Sequence, residues 1–347
     1  MKYIKKLFNR FLNEESKNKI RNKCSRLFWQ IDKIIVYREY LKAVKYILKK
    51  YVLHYQKQDY DYRYGGFLNA IKEEFIRCSV MHEKFEVRDK KMQECIDYTI
   101  NNGTDVYCGS LNDVQIYSEE DVKYDKENGL IYGIYGGKRL YFSKATKDLK
   151  QAYQELNGLA AEQSEHSPHR YLTEEFNVGP DDIVFDVGCA DGNFSLSVVD
   201  KAKEIYLFEI EEQWMKPLQL TFAPYKDKVH IIKKCVTKQS DNFSVSIDEF
   251  CEKNKIDRIG LLKMDVEGYE KSVLSGAERM LQEKRIDKIA VCTYHRLNDE
   301  QELGAMLSDY TKETAEGYML GALLCDIWDI KPPYFTKGLM RARLTTK

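Results

Sequence analysis

Five ionisable side chains sit at or near the ends of short apolar runs, and their types suit proton and cation handling. Asp186 lies in Ile183-Val-Phe-Asp-Val187, and Glu209 follows Glu204-Ile-Tyr-Leu-Phe208. Asp265 and Glu267 follow Ile259-Gly-Leu-Leu-Lys-Met264, and His295 follows Lys288-Ile-Ala-Val-Cys-Thr-Tyr294. Each β-branched or aromatic run reads as a buried strand. In open α/β sheets, ligands collect beyond the carboxyl ends of the strands. The five residues therefore map to one edge. A carboxylate or an imidazole there could take the proton of a bound hydroxyl.

The first run is followed by Gly188-Cys-Ala-Asp-Gly192-Asn193. Two glycines bracket a tight turn, and Asn193 is placed to cap a helix carrying Leu196, Val198 and Val199. The spacing is G-x-x-x-G. A dinucleotide pyrophosphate wants the closer pair of G-x-G-x-x-G. Asp186 suits a positively charged ligand group, and Glu209 stands where a carboxylate takes two ribose hydroxyls. A ligand with an amino-acid tail and an adenosine is S-adenosylmethionine. Its expected contacts are Asp186, Gly188, Cys189, Asp191, Gly192, Asn193, Glu209 and Val236.

Asp265 and Glu267 are two residues apart after a strand, so an extended chain points both to one side. His295 ends the adjacent strand, ~4.8 Å away. These three are the expected catalytic set. His295 is the favoured base because its unperturbed pKa, ~6.5, lies near working pH. A divalent metal held by the same three side chains is the alternative. It is disfavoured because hard oxygens with one imidazole suit magnesium or manganese only moderately, and Lys263 adds a positive charge nearby. Upstream, Glu162 to Tyr171 crowds polar, aromatic and proline residues into a loop. His169, Tyr171 and Arg296 are the candidates for contacting substrate.

These residues need elements to hold them. Trp214 to Phe222 reads as a helix and Val229 to Val236 as a third strand. A helix begins near Ser246 with Asp248 as its cap, and one helix carries Val273, Leu274, Ala277, Met280 and Leu281. Ahead of the sheet, Gln151 to Ala161 and Lys90 to Ile100 read as helices. Leu130 to Tyr135, Gly136-Gly137 and Lys138 to Phe142 read as a β-hairpin. Val106 to Val122 holds further short strand-like pieces.

The 347 residues carry 55 basic and 55 acidic side chains, but residues 1–57 hold 16 Lys/Arg against 4 Asp/Glu. This basic arm shows apolar stripes at helical spacing, from Ile4, Leu7, Phe8, Phe11 and Leu12 to Tyr37, Leu41, Val44 and Leu48. The stripes suit packing on protein, in the main domain or a partner chain, better than lying on an anionic membrane surface. Nine scattered cysteines with no C-x-x-C argue for reduced thiols and a cytosolic setting. No apolar run reaches the ~18 residues of a membrane span.

Asp186-Val-Gly188-x-x-x-Gly192-Asn193-Phe194 together with Lys263-Met-Asp265-Val-Glu267-Gly268-x-Glu270 resembles the FkbM family of S-adenosylmethionine-dependent methyltransferases. The second motif is the more specific. Ser167-Pro-His-Arg-Tyr171, Cys292-Thr-Tyr294-His295-Arg296, Gly317 to Leu320, Pro332 to Tyr334 and Leu339 to Arg343 look like its bacterial branch. The resemblance covers roughly residues 115 to 345 and leaves the arm outside. It implies a Rossmann-like methyltransferase sheet, mostly parallel with one late antiparallel strand. It also implies O-methylation of a hydroxyl on a sugar, polysaccharide or secondary metabolite.

The expected organisation is an α/β chain in three parts: a helical basic arm over 1–60, a mixed segment with the hairpin over 61–155, and a methyltransferase domain over 156–347. Three other readings compete. A nicotinamide-dependent oxidoreductase lacks its glycine pattern. A nucleic-acid methyltransferase would use the arm on phosphates, but no base-reading motif accompanies it. In addition, Lys331-Pro-Pro-Tyr334 lies far from the fourth strand, where a Pro-Pro-aromatic motif belongs. A non-catalytic scaffold would not need the acidic set. The expected partner is therefore a small-molecule or glycan hydroxyl acceptor and not nucleic acid. Residues 1–60 are left for a peripheral contact at the inner membrane surface or for a homo-oligomer.

Overall fold

The computed structural model describes residues 89–102, 105–108, 111, 115–296, 298–321 and 334–345. The stripes of the basic arm, the segment before residue 89 and Lys331-Pro332-Pro333 lie outside the described residues. The chain divides into two units, Met1–Glu86 with Thr99–Thr104, and Val87–Tyr98 with Asp105–Lys347. All that follows, apart from the last residues of the first helix, concerns the second.

Helix α1 spans Lys90–Asn102. Strands β1 (Val122–Asp125), β2 (Leu130–Tyr135) and β3 (Lys138–Tyr141) form a small antiparallel sheet. The hairpin turns at Gly136 and Gly137, both at positive φ as a two-residue turn requires. Helix α2 (Leu149–Glu162) packs on this sheet. Its buried Leu156 sits where a Cβ on Gly133 would fall, 2.8 Å from a Leu156 methyl. The helix crosses the boundary expected at residue 155. Among the described residues of Val106 to Val122, no strand precedes β1, and an isolated bridge joins Tyr107 to Met319.

The main sheet is built from β4 (Ile183–Val187), β5 (Glu204–Phe208), β6 (Val229–Ile232), β9 (Ile259–Met264), β10 (Ile286–Cys292), β11 (Tyr310–Thr314) and β12 (Leu339–Leu344). Its order is β11-β12-β10-β9-β4-β5-β6. Strands β6, β5, β4, β9 and β10 run parallel, and β12 is antiparallel to both β10 and β11. This is the mostly parallel methyltransferase sheet with one late antiparallel strand. Chain order reverses between β4 and β9, which opens a crevice at their carboxyl ends.

Side chains alternate across the sheet. Val184, Ile205, Leu207, Leu261 and Ala290 face a core shared with α2, the hairpin, α3 (Asn193–Val198) and α4 (Glu212–Phe222). Phe185, Phe208, Leu262, Met264 and Val291 face a second core shared with α5 (Ile247–Asn254), α6 (Glu270–Ser275) and α7 (Glu278–Gln282). Helix α8 (Asp299–Met306) precedes β11 and buries Leu303 in the second core. Asp186 and Lys263 occupy first-core positions, where the alternation calls for apolar residues.

Four local readings are corrected. The third strand stops at Ile232, where the Lys234 N–H turns back onto the Ile232 carbonyl. Cys235–Val236 (β7) then pairs instead with Ser244–Val245 (β8). The cap of α5 is Ser246, which accepts from the Glu249 N–H, while Asp248 accepts from the Arg279 and Met280 N–H groups at the start of α7. Gly192, not Asn193, is the residue before α3, because only glycine sits easily at its φ of +79°. Finally, the helix expected through Val273 to Leu281 breaks in two at Gly276. A Cβ there would lie 2.2 Å from the Thr237 carbonyl oxygen, so the loop after β7 fixes the break.

Candidate functional site

Strand β5 places Glu209 on one side of the crevice. Its carboxylate accepts from the Ile210 and Glu211 N–H groups at 2.7 and 2.8 Å, and from the Ala190 N–H in the glycine turn at 3.1 Å. The carboxylate thus ties β5 to the turn after β4 and keeps lone pairs for two hydroxyls. Gly188 is needed for protein packing as much as for ligand approach. Its φ is +71°, and a Cβ there would lie 2.0 Å from the Asp265 carbonyl oxygen. At Gly192 a Cβ would strike Phe222 and Leu218 of α4. Cys189 is buried, and Val236 is buried in the second core. Asp191 is half-buried, and burial pushes its carboxyl up to about 7.

Asp186 does not face open space. It is fully buried, its Oδ2 accepts from the Ser195 hydroxyl at 2.7 Å, and its Oδ1 lies 3.0 Å from Lys263 Nζ. Lys263 also donates to the Gly188 carbonyl at 2.7 Å. Burial opposes the Lys263 charge, yet Asp186 and Asp265 hold its pKa above the ordinary value. The pair arises because Asp186 and Lys263 are register partners on β4 and β9. Asp186, held by Ser195 and Lys263, supports the turn from beneath.

The other side of the crevice belongs to β9 and β10. Asp265 accepts from the Tyr171 hydroxyl at 2.9 Å and the Tyr294 hydroxyl at 3.2 Å. Its Oδ2 lies 3.6 Å from His169 Nε2, and its Oδ1 lies 3.5 Å from His295 Nε2. Burial would raise the Asp265 pKa, but the bond and charge of His169, with Lys263 and His295, hold it well below the carboxylate range. Glu267 Oε2 also lies 3.5 Å from His295 Nε2, although its side chain is 89% exposed. The three expected catalytic side chains do meet, but not through an extended backbone. Glu267 has φ +51° and Gly268 +90°, so a left-handed turn brings the second carboxylate round.

Glu270 completes this group and was not among the expected site residues. It is buried, and its Oε1 sits 2.7 Å from His295 Nδ1. It also accepts the Val266 and Gly268 N–H groups, so it fixes both the turn and the imidazole. Burial opposes the His295 charge, but Glu270, Asp265 and Glu267 raise its pKa above the usual histidine value. The expectation of an unperturbed histidine is corrected accordingly. Glu270 was visible as the last residue of Lys-x-Asp-Val-Glu-Gly-x-Glu, and nothing in the spacing says that it reaches His295.

The substrate candidates fall differently. His169 and Tyr171 are buried, 1% and 3% exposed, and both brace Asp265. Only Arg296 is exposed, and its guanidinium lies over Gly268. His169 also contacts Cys292 and Glu162, which the sequence did not single out.

A seven-stranded sheet in this order, with a glycine turn after one central strand and an acid after the next, defines the Rossmann-like methyltransferase class. Residues 180–313 match the model of the methyltransferase FkbM domain. The resemblance read from the two motifs holds over those residues. Among solved structures, a methyltransferase FkbM from Methylobacillus flagellatus KT aligns at 18% identity and a TM-score of 0.38, covering 55% of this chain and 54% of that one. This chain thus spans about half the length of that protein. An rRNA methylase from Streptococcus thermophilus aligns at 13% identity and TM-score 0.32, covering 49% of this chain and 90% of that one. A putative methyltransferase from Streptococcus mutans, in complex with SAH, aligns at 13% identity and TM-score 0.30, covering 48% and 91%. No curated protein matches the sequence. No described helix is long and apolar enough to cross a membrane.

Proposed function

We propose that the protein transfers a methyl group from S-adenosylmethionine to a hydroxyl of a sugar, polysaccharide or secondary metabolite. The observation that carries this reading is the meeting of His295, Asp265 and Glu267 across the crevice from Glu209. The residues present fit the cofactor. Glu209 is held by three backbone N–H groups with acceptor capacity left for ribose hydroxyls. Asn193, beside the glycine turn, is buried with its side chain against the Tyr135 hydroxyl, within reach of a ligand's carboxylate tail at the turn. When bound, the cofactor supplies the electrophilic methyl group, and the protein is left to align the acceptor and manage its proton.

His295 is the best-placed proton acceptor. Glu270 holds Nδ1, which directs Nε2 toward Asp265 and Glu267 at the crevice. Exposed Glu267 and Arg296 offer polar contacts to a hydroxylated acceptor at the rim. The test is calorimetric titration with S-adenosylhomocysteine, followed by assay of methyl transfer from labelled cofactor to a panel of glycans and hydroxylated metabolites. Binding with transfer to a hydroxyl supports the reading. Absence of cofactor binding, or transfer to nitrogen only, removes it.

A further inference from the structure

We propose that His169, Cys292 and Asp265 form a binding site for one zinc ion, independent of the cofactor. The three come from separate elements: the loop after α2, the end of β10, and the turn after β9. His169 Nε2 lies 3.2 Å from Cys292 Sγ and 3.6 Å from Asp265 Oδ2, and the three donor atoms fall within 4.8 Å of one another. A tetrahedral zinc, ~2.0 Å from nitrogen and oxygen and ~2.3 Å from sulfur, sets edges of ~3.3–3.6 Å between its ligands. The two edges that meet at His169 Nε2, 3.2 and 3.6 Å, already stand close to that separation.

The surroundings fit a held metal. Glu162 Oε1 lies 2.9 Å from His169 Nδ1, off the line of a hydrogen bond, on the ring nitrogen away from the cluster, and accepts from the Tyr107 hydroxyl at 3.1 Å. A carboxylate so placed would fix the tautomer and aim of a ligating imidazole once the ring turns its Nδ1–H onto it. Tyr171 and Tyr294 hold the two oxygens of Asp265. Cys292 is fully buried and His169 is 1% exposed, whereas the Asp265 side chain is 20% exposed and gives an entry route from the crevice.

Donor chemistry selects the ion. A thiolate with an imidazole and one carboxylate favours zinc over magnesium or calcium, which want oxygen shells. The neighbouring cation, Lys263, is already paired with Asp186 at 3.0 Å.

The second acidic-imidazole group, Asp265 with Glu270 and His295, shares Asp265 but has no sulfur. That difference makes the test specific. The full chain, stripped with a chelator, is titrated with cobalt(II), and absorption is followed in the near-ultraviolet and visible. One equivalent should bind with a thiolate-to-cobalt charge-transfer band and tetrahedral d–d bands, both displaced by zinc. Cys292→Ser should abolish the charge-transfer band, and Glu162→Gln should weaken binding by ~10–100-fold. The chain has nine cysteines, so a band that persists in Cys292→Ser overturns the assignment. If that variant does not fold, His169→Gln and the zinc-dependent rise in melting temperature of the unaltered chain decide. No stoichiometric cobalt and no zinc-dependent rise would leave the cluster as a hydrogen-bond brace on Asp265. None of these readouts depends on methyl transfer.

Discussion

At the scale of single residues, the crevice divides its labour between acids with different surroundings. On the proposed reading Glu209 is the cofactor-facing acid, and Glu209→Ala is expected to weaken S-adenosylhomocysteine binding strongly. Unchanged calorimetric affinity would withdraw that role. His295→Ala is expected to cut turnover by ~10²–10⁴ with cofactor affinity intact. Because its carboxylate neighbours raise the His295 pKa, its base form gains population only as pH rises past the usual histidine range. Turnover should therefore climb at a higher pH than an unperturbed imidazole would set, and Glu270→Gln, which removes the closest of those charges, should move the climb to lower pH. A pH–rate profile unmoved by that change would mean that another group takes the proton. The buried Lys263–Asp186 pair makes a separate prediction. Lys263→Met leaves an unpaired charge in the core and is expected to cost about 3–5 kcal/mol by denaturant titration. Replacing both partners with apolar residues should cost much less. The positions of these residues were unevenly legible. Glu209, Asp265 and His295 were placed at one edge because strand ends are visible in the hydrophobic pattern. The burial of Asp186 was not, because a lone Lys263 in an apolar strand does not say which acid it will meet.

At the scale of elements, the central strands were legible from their buried faces, although β10 begins and ends two residues before the expected Lys288–Tyr294. Ile183–Val187 and Ile259–Met264 match the apolar runs residue for residue. The pattern misled where a neighbour decides the outcome. Val229 to Val236 is one apolar run, but its last two residues pair with β8. The break at Gly276 is set by the Thr237 carbonyl, almost forty positions away in the chain. The hairpin is the opposite case, since its glycine pair and alternation are local and sufficient. Its attachment to α2 depends on the gap at Gly133, so Gly133→Val should drive a side chain into Leu156. The expected penalty is about 1–3 kcal/mol, read as a lowered unfolding midpoint with an unchanged slope.

At the scale of the whole molecule, every residue assigned to the cofactor lies between 186 and 236, inside the segment that matches the FkbM domain. The basic arm is therefore expected to be dispensable for cofactor binding. A chain beginning at residue 61 should bind S-adenosylhomocysteine as tightly as the full one, provided that its circular dichroism shows it folded. A folded but non-binding truncation would mean that the arm helps to build the site. Flotation with anionic vesicles tests separately whether residues 1–60 approach a membrane surface.

The position of β12 has a consequence for how the chain is made. It is the last strand in sequence, yet it lies between β10 and β11, not at the sheet's border. As the chain leaves the ribosome, β4, β5, β6, β9 and β10 can assemble while one flank of β10 stays open. Strand β11 then waits with no partner of its own until residues 339–344 arrive. An unpaired flank on a parallel sheet invites pairing with other chains. The interval between translating residue 292 and residue 344 is thus the window in which this protein is most exposed to misassembly. A ribosome stalled in that window should hold a nascent domain that proteases cut and chaperones bind, and release of β12 should end both.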